Sequence, residues 1–193
     1  MGEAAPKKLY SIEEYLEIEQ NSLEKMEYHD GEIFAMAGGT IEHSLISSNI
    51  GTTLSNALRK KGKSCLTYNS DAKIAVNNHK FLYPDASVVC GKVETFPNMP
   101  QGIKNPVLIV EVLSDSTASY DRGAKFQAYQ TIESFQEYVL ISQDSVLVEV
   151  FFKPKNTAFW YYQTYKNIDE VIELKSIDAE ISLADIYYGL EFQ

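Results

Sequence analysis

Val107-Leu108-Ile109-Val110-Glu111-Val112-Leu113 sets six apolar residues around one carboxylate. A near-continuous apolar run of this length reads as a strand covered on both faces, in the interior of a sheet. Glu111 is the anomaly in it. A carboxylate buried in such a strand is heavily penalised by desolvation unless it is paired, hydrogen-bonded or bound to a cation. The rest of the chain must therefore supply its partner.

Upstream, Phe81-Leu82-Tyr83-Pro84-Asp85-Ala86-Ser87-Val88-Val89-Cys90 reads as another strand. Asp85 stands directly after Pro84, whose missing N–H marks an edge or a bend. Two carboxylates on adjacent strands offer the oxygen ligands that Mg²⁺ or Mn²⁺ prefers, with water and substrate phosphate completing the shell. Downstream, a helix predicted over Tyr120–Ile132 presents Asp121, Lys125 and Tyr129 at every fourth position, so one face carries all three with the cation in the middle. Lys125 is the candidate to orient or deprotonate an attacking water and to offset negative charge developing on a phosphate. The competing reading is an ordinary surface pair between Asp121 and Lys125, worth about 0.3–0.5 kcal/mol.

Around this centre, Ser11-Ile12-Glu13-Glu14 has the spacing of a capping box and predicts a short helix to about Gln20. Lys25–Asp30 and Glu32–Met36 flank Asp30-Gly31, a hairpin turn. After Gly38-Gly39-Thr40, the apolar residues Ile46, Ile50, Leu54 and Leu58 predict a long amphipathic helix stopped at Gly62. Ser64–Tyr68, Asp71–Val76, Glu137–Ser142, Val146–Lys153, Phe159–Tyr165 and Glu170–Leu174 read as strands, and Ser182 as the cap of a last helical turn. This order predicts an α/β or α+β fold with a central mixed sheet flanked by helices, preceded by a helix and a β-hairpin. No linker or repeat divides the chain, and 45% hydrophobic content in 193 residues suits one domain over 1–193, its core from about 10 to 187. The aromatic run Phe159-Trp160-Tyr161-Tyr162 reads as core on one face of its strand.

Met1–Lys8 lacks the apolar stretch of an export signal and no window is long enough to span a membrane, so a cytoplasmic protein is expected. In that setting Cys65 and Cys90 read as reduced core thiols. The net charge of −10 opposes binding to a polyanion, although Arg59-Lys60-Lys61-Gly62-Lys63 forms a local basic stretch suited to phosphate. Arg59 and Arg122 are the only arginines, which leaves few sources for bidentate guanine readout. The absence of a phosphate-binding Gly-x-x-x-x-Gly-Lys loop, a Gly-x-Ser-x-Gly elbow, His-Glu-x-x-His and Cys-x-x-Cys argues against ATPase, serine hydrolase and zinc chemistry.

The ordered set Glu27-Tyr-His-Asp-Gly31, His43, Pro84-Asp85, Glu111-Val-Leu-Ser114, Asp121, Lys125, Tyr129 and Glu137-Tyr-Val resembles the Uma-two family of restriction-endonuclease-like proteins, within the PD-(D/E)XK nuclease superfamily. The resemblance implies a restriction-endonuclease-like fold and Mg²⁺ or Mn²⁺ held by Asp85, Glu111 and the Val112 carbonyl. It also implies DNA as substrate and, as for restriction-type nucleases, a homodimer. Glu27 matches a further acidic position, and His43 is a candidate phosphate contact or acid. The superfamily lysine stands two residues after the glutamate, where this chain has Leu113. Lys125 from the next helix matches instead, which requires that helix to pack across the end of the strand. The expectation is a metal-dependent DNA endonuclease using Asp85, Glu111 and Lys125. Its rivals are a catalytically inactive nuclease-like interaction module and a glycosidase built on the Asp85–Glu111 pair, which leaves Lys125 unexplained.

Overall fold

The structure, a computed structural model, describes residues 8–36 and 38–192, so the reading at Met1–Lys8 falls outside it except for Lys8. The apolar run around Glu111 forms β7 (Leu108–Leu113), and all six of its residues are buried. It lies inside a six-stranded sheet that runs β10 (Tyr161–Tyr165), β9 (Val148–Phe152), β8 (Glu137–Ser142), β7, β6 (Ala86–Cys90), β3 (Cys65–Asn69). Only β7 and β8 pair in parallel, so the central sheet is mixed, as expected.

A second sheet of four strands has the order β2 (Glu32–Ala35), β1 (Met26–His29), β5 (Lys80–Leu82), β4 (Ile74–Asn77). Asp30 and Gly31, at φ 50° and 98°, make the turn joining β1 to β2. The predicted strand over 81–90 is in fact two strands, β5 and β6, in different sheets. The chain breaks at Tyr83-Pro84-Asp85, where proline cannot donate to a ladder. Asp85 thus sits at the junction of the two sheets. A hairpin of β11 (Val171–Leu174) and β12 (Ala179–Ser182) completes the strands, the second of them not predicted.

Alternation along β7 divides the core. Val110 and Val112 face α2 (Ile41–Lys60), whose Ile46, Ile50, Leu54 and Leu58 form the predicted buried stripe. Ile109 and Leu113 face the opposite cluster with Tyr129, Phe135, Tyr138 and Leu140. By alternation Glu111 belongs to this second face. α1 (Ile12–Gln20) carries the capping box at Ser11 and Glu14 and buries Tyr15 against Tyr28 and Phe81.

The helix predicted over 120–132 is shorter and irregular: α3 (Ala118–Tyr120) passes into a π-helical turn (Asp121–Lys125) and then α4 (Phe126–Tyr129). The aromatic run is corrected as well. Trp160 packs against Phe126 and Phe135, but Phe159, before β10, and Tyr161 and Tyr162, at the start of this edge strand, are 77%, 64% and 55% exposed. Among the described residues no helix is long and apolar enough to cross a membrane.

Cys65 and Cys90 lie opposite each other in the β3–β6 register and form a disulfide, which corrects the reading of two free thiols. Cross-strand register put them together, and residue spacing alone does not reveal it. The bridge closes a loop with a sequence separation of 25 residues. Replacing both cysteines by serine is expected to lower unfolding stability by about 3 kcal/mol, through the added freedom of the unfolded chain. Urea denaturation with and without reductant tests this; identical curves would mean that the bridge contributes nothing.

Candidate active site

Carrying the Ala86↔Val110 register one residue further sets Asp85 beside Glu111. Asp85 Oδ2 accepts the Val112 N–H at 2.7 Å, which fixes its carboxylate against β7. On the other side, His43 in the first turn of α2 brings Nε2 to 3.4 Å from the same oxygen. These two are the accessible part of the cluster, their side chains 14% and 21% exposed.

Glu111 finds its partner. Lys125 Nζ lies 2.9 Å from Glu111 Oε1, and the Tyr129 hydroxyl donates to the same oxygen at 3.1 Å. Lys125 also donates to the Tyr83 carbonyl at 3.0 Å and stands 3.6 Å from Asp121 and 3.7 Å from Glu27. The surface-pair reading of Asp121 and Lys125 is therefore overturned: both side chains are buried. Both residues lie in the π-helical turn, at its first and last positions. Leu113 packs in the apolar cluster, and Lys125 reaches Glu111 from the helical segment that follows β7.

Glu27 joins from β1, accepting the Tyr83 N–H at 3.0 Å and the Tyr120 hydroxyl at 3.1 Å, with His29 Nε2 at 3.3 Å. Every residue singled out from the sequence, namely Glu27, His43, Asp85, Glu111, Val112, Asp121, Lys125 and Tyr129, lies in this one cluster or lines it. Tyr83, Tyr120 and His29 were missed. Tyr83 acts through its backbone and left no side-chain signal, whereas Tyr120 directly precedes Asp121 and His29 stands within the Glu27–Gly31 motif with no role assigned to it.

Burial pushes Glu111 well above the usual carboxylate range; Lys125 opposes that shift, and Asp121 and Asp85 add to it. Asp121 is raised for the same first reason, again opposed by Lys125. Burial alone would lower Lys125, but Glu111, Glu27 and Asp121 outweigh it and hold the ammonium charged. For Glu27, burial is outweighed by His29, Lys125 and the Tyr83 amide, and the net shift is downward. His43 is raised, chiefly by Asp85 and also by the Val112 carbonyl.

Asp121 gives a pH test. Because burial holds its folded-state pKa above the ordinary aspartate value, its contribution to stability is full below that ordinary value and is lost as pH rises through the folded one. Thermal melts in chelator should show Asp121→Asn gaining on the wild type between about pH 4 and pH 7. A difference that stays flat or moves the other way would contradict the raised pKa.

Four carboxylates, Asp85, Glu111, Asp121 and Glu27, thus face the Lys125 ammonium and the His43 imidazole. The formal excess of negative charge suits a divalent cation. Among the described residues no three His, Cys, Asp or Glu side chains form a cage by themselves. A hard ion would draw instead on Asp85, Glu111 and the Val112 carbonyl, with water and phosphate completing its shell, a composition Mg²⁺ accepts.

A helix-flanked mixed sheet with such a cluster at its strand junction is the architecture of a nuclease-like protein. The chain matches the crystal structure of a "putative nuclease belonging to DUF820" from Anabaena variabilis with a TM-score of 0.69, covering 92% of this chain and 97% of that one. At 17% identity this is a likeness of fold. The chain belongs to the Uma2 family, described as "Putative restriction endonuclease", whose sequence pattern it matches over residues 12–184. Two proteins of Synechocystis sp. are similar along the sequence. The uncharacterised slr1290 is 41% identical over 98% of this chain and 97% of its own length, and the uncharacterised sll1609 is 34% identical over 75% and 81%.

Proposed function

We propose that the protein is a divalent-metal-dependent DNA endonuclease, with Asp85, Glu111 and the Val112 carbonyl holding Mg²⁺ or Mn²⁺ and Lys125 as the catalytic cation. The observation that carries this reading is the buried Lys125–Glu111 contact beside Asp85, which supplies from the following helix the charge that Leu113 lacks. Membership of the family supports the nuclease class. The bound ion supplies a Lewis acid for the phosphate and lowers the pKa of a coordinated water. Lys125, held charged, offsets the negative charge that accumulates on the phosphoryl oxygens and is not the proton acceptor. Tyr129 and the Tyr83 carbonyl fix the directions of Glu111 and Lys125, so little reorganisation is needed on reaction. His43, at the accessible edge, is placed to meet an incoming phosphate.

Calorimetric Mn²⁺ titration of the wild type, Asp85→Ala and Glu111→Ala, followed by plasmid nicking, tests this. Binding and nicking are expected in the wild type and lost in both variants. Absence of carboxylate-dependent binding at millimolar metal would sink the mechanism. Binding without nicking would favour a non-catalytic interaction module.

A further inference from the structure

A groove of about 560 Å³ opens off the accessible side of Asp85 and runs between α2 and β3. Its α2 wall is a stripe at helical spacing, Ser44, Ser48, Thr52, Asn56 and Arg59, all exposed. Among the described residues, none of these five side chains forms a hydrogen bond or ion pair with the protein. Along the whole lining, Asp85 is the single carboxylate and Arg59 the single cation, in a chain of net charge −10. Elsewhere on the basic stretch, Lys61 and Lys63 are tied to Asp178.

Two further features point to something lying in the groove. Thr67 on the β3 wall has a shielded hydroxyl without a partner. Gly51 lines the groove in the interior of α2, and a Cβ added there would meet nothing within 4 Å. Glycine at a helix interior costs stability, and the open space at Gly51 leaves room for another molecule to approach the helix backbone closely from the groove.

We propose that this groove seats the sugar–phosphate backbone of the DNA strand to be cut, leading from Asp85 to Arg59; the cleavage part of this rests on the nuclease reading above. No aromatic residue lines the groove, so bases are not stacked there. Hydroxyls, amides and one guanidinium are donors to phosphate, which position a strand without reading its sequence. From Ser44 to Arg59 the helix rises about 22 Å, the axial length of about six phosphates along one strand of a B-form duplex.

The test is anisotropy of a fluorescent DNA duplex in Ca²⁺, paired with hydrolysis of bis(p-nitrophenyl) phosphate in Mn²⁺, a substrate too small to use the groove. Thr52→Glu/Asn56→Glu and Arg59→Glu are expected to weaken DNA binding at least tenfold while leaving the small-substrate rate unchanged. Lys155→Glu, with the same charge change away from the groove, should leave binding intact. Gly51→Gln should fill the groove and weaken binding without lowering Tm. A wild type that does not bind, or groove variants that bind as it does or lose no more than Lys155→Glu, would overturn the proposal. If neither substrate is hydrolysed yet binding still depends on the groove, the seat for DNA stands and the nuclease reading falls.

Discussion

Lys125→Met is expected to cost the protein about 3–5 kcal/mol at neutral pH, because it leaves buried carboxylates without their counter-charge. Glu111, Asp121 and Glu27 all lie within 3.7 Å of the ammonium, and the first two already have raised pKa values with Lys125 present. Without it they rise further, so the folded state is penalised more heavily as pH climbs and the deficit shrinks in acid as they protonate. Adding Glu111→Gln should recover much of the loss, since a neutral amide tolerates burial beside Tyr129 better than an unpaired carboxylate does. DNA cleavage by Lys125→Met should fall by about 10²–10⁴-fold even under conditions where circular dichroism shows the variant folded, separating the role in folding from the role in chemistry. Urea denaturation and plasmid nicking measure the two effects. A Lys125→Met protein as stable as the wild type at pH 7 would show that this lysine does not balance the carboxylates.

Asp85→Asn should act in the opposite sense on stability and as strongly on activity. The Asn amide oxygen can still accept the Val112 N–H that Asp85 takes at 2.7 Å, so β7 keeps its anchor. One negative charge is removed from a cluster in which Asp85 pushes both Glu111 and Asp121 upward, so in chelator the melting temperature should hold or rise. With metal present the outcome reverses. The ion loses a hard anionic ligand, and cleavage is expected to drop by about 10²–10³-fold. The wild type should gain about 2.7 kcal/mol of stability at a metal concentration of one hundred times Kd. The variant should gain much less. Equal stabilisation by metal in both proteins would remove Asp85 from the ligand set.

These opposite signs follow from the proposed role, in which the carboxylates are costly to bury and would serve as ligands once a metal binds. Lys125 lies against Glu111 and His43 against Asp85, and of the four carboxylates Asp85 is the one that lines the groove along α2.

Periodicity and local chemistry determined much of this protein without reference to tertiary structure. The stripe Ile46, Ile50, Leu54, Leu58 specified α2, Asp30-Gly31 specified the first hairpin, and the apolar run about Glu111 specified a central strand that needed a partner, because each depends on neighbours along the chain. Helical spacing and family resemblance mark Lys125 as the candidate cation, but spacing does not show that Glu111 is its partner or that the two are buried. Contacts between distant residues decided that question. The Tyr83 carbonyl that receives Lys125 lies 42 residues before it, and strand register and the π turn bring the two together. Register likewise set Cys65 against Cys90, and tertiary packing took Trp160 inward while Phe159, Tyr161 and Tyr162 stayed exposed. A sequence specifies which face of an element is apolar, whereas which faces meet, and at what offset, is settled only when loops close and sheets pair, and the active cluster depends on those offsets.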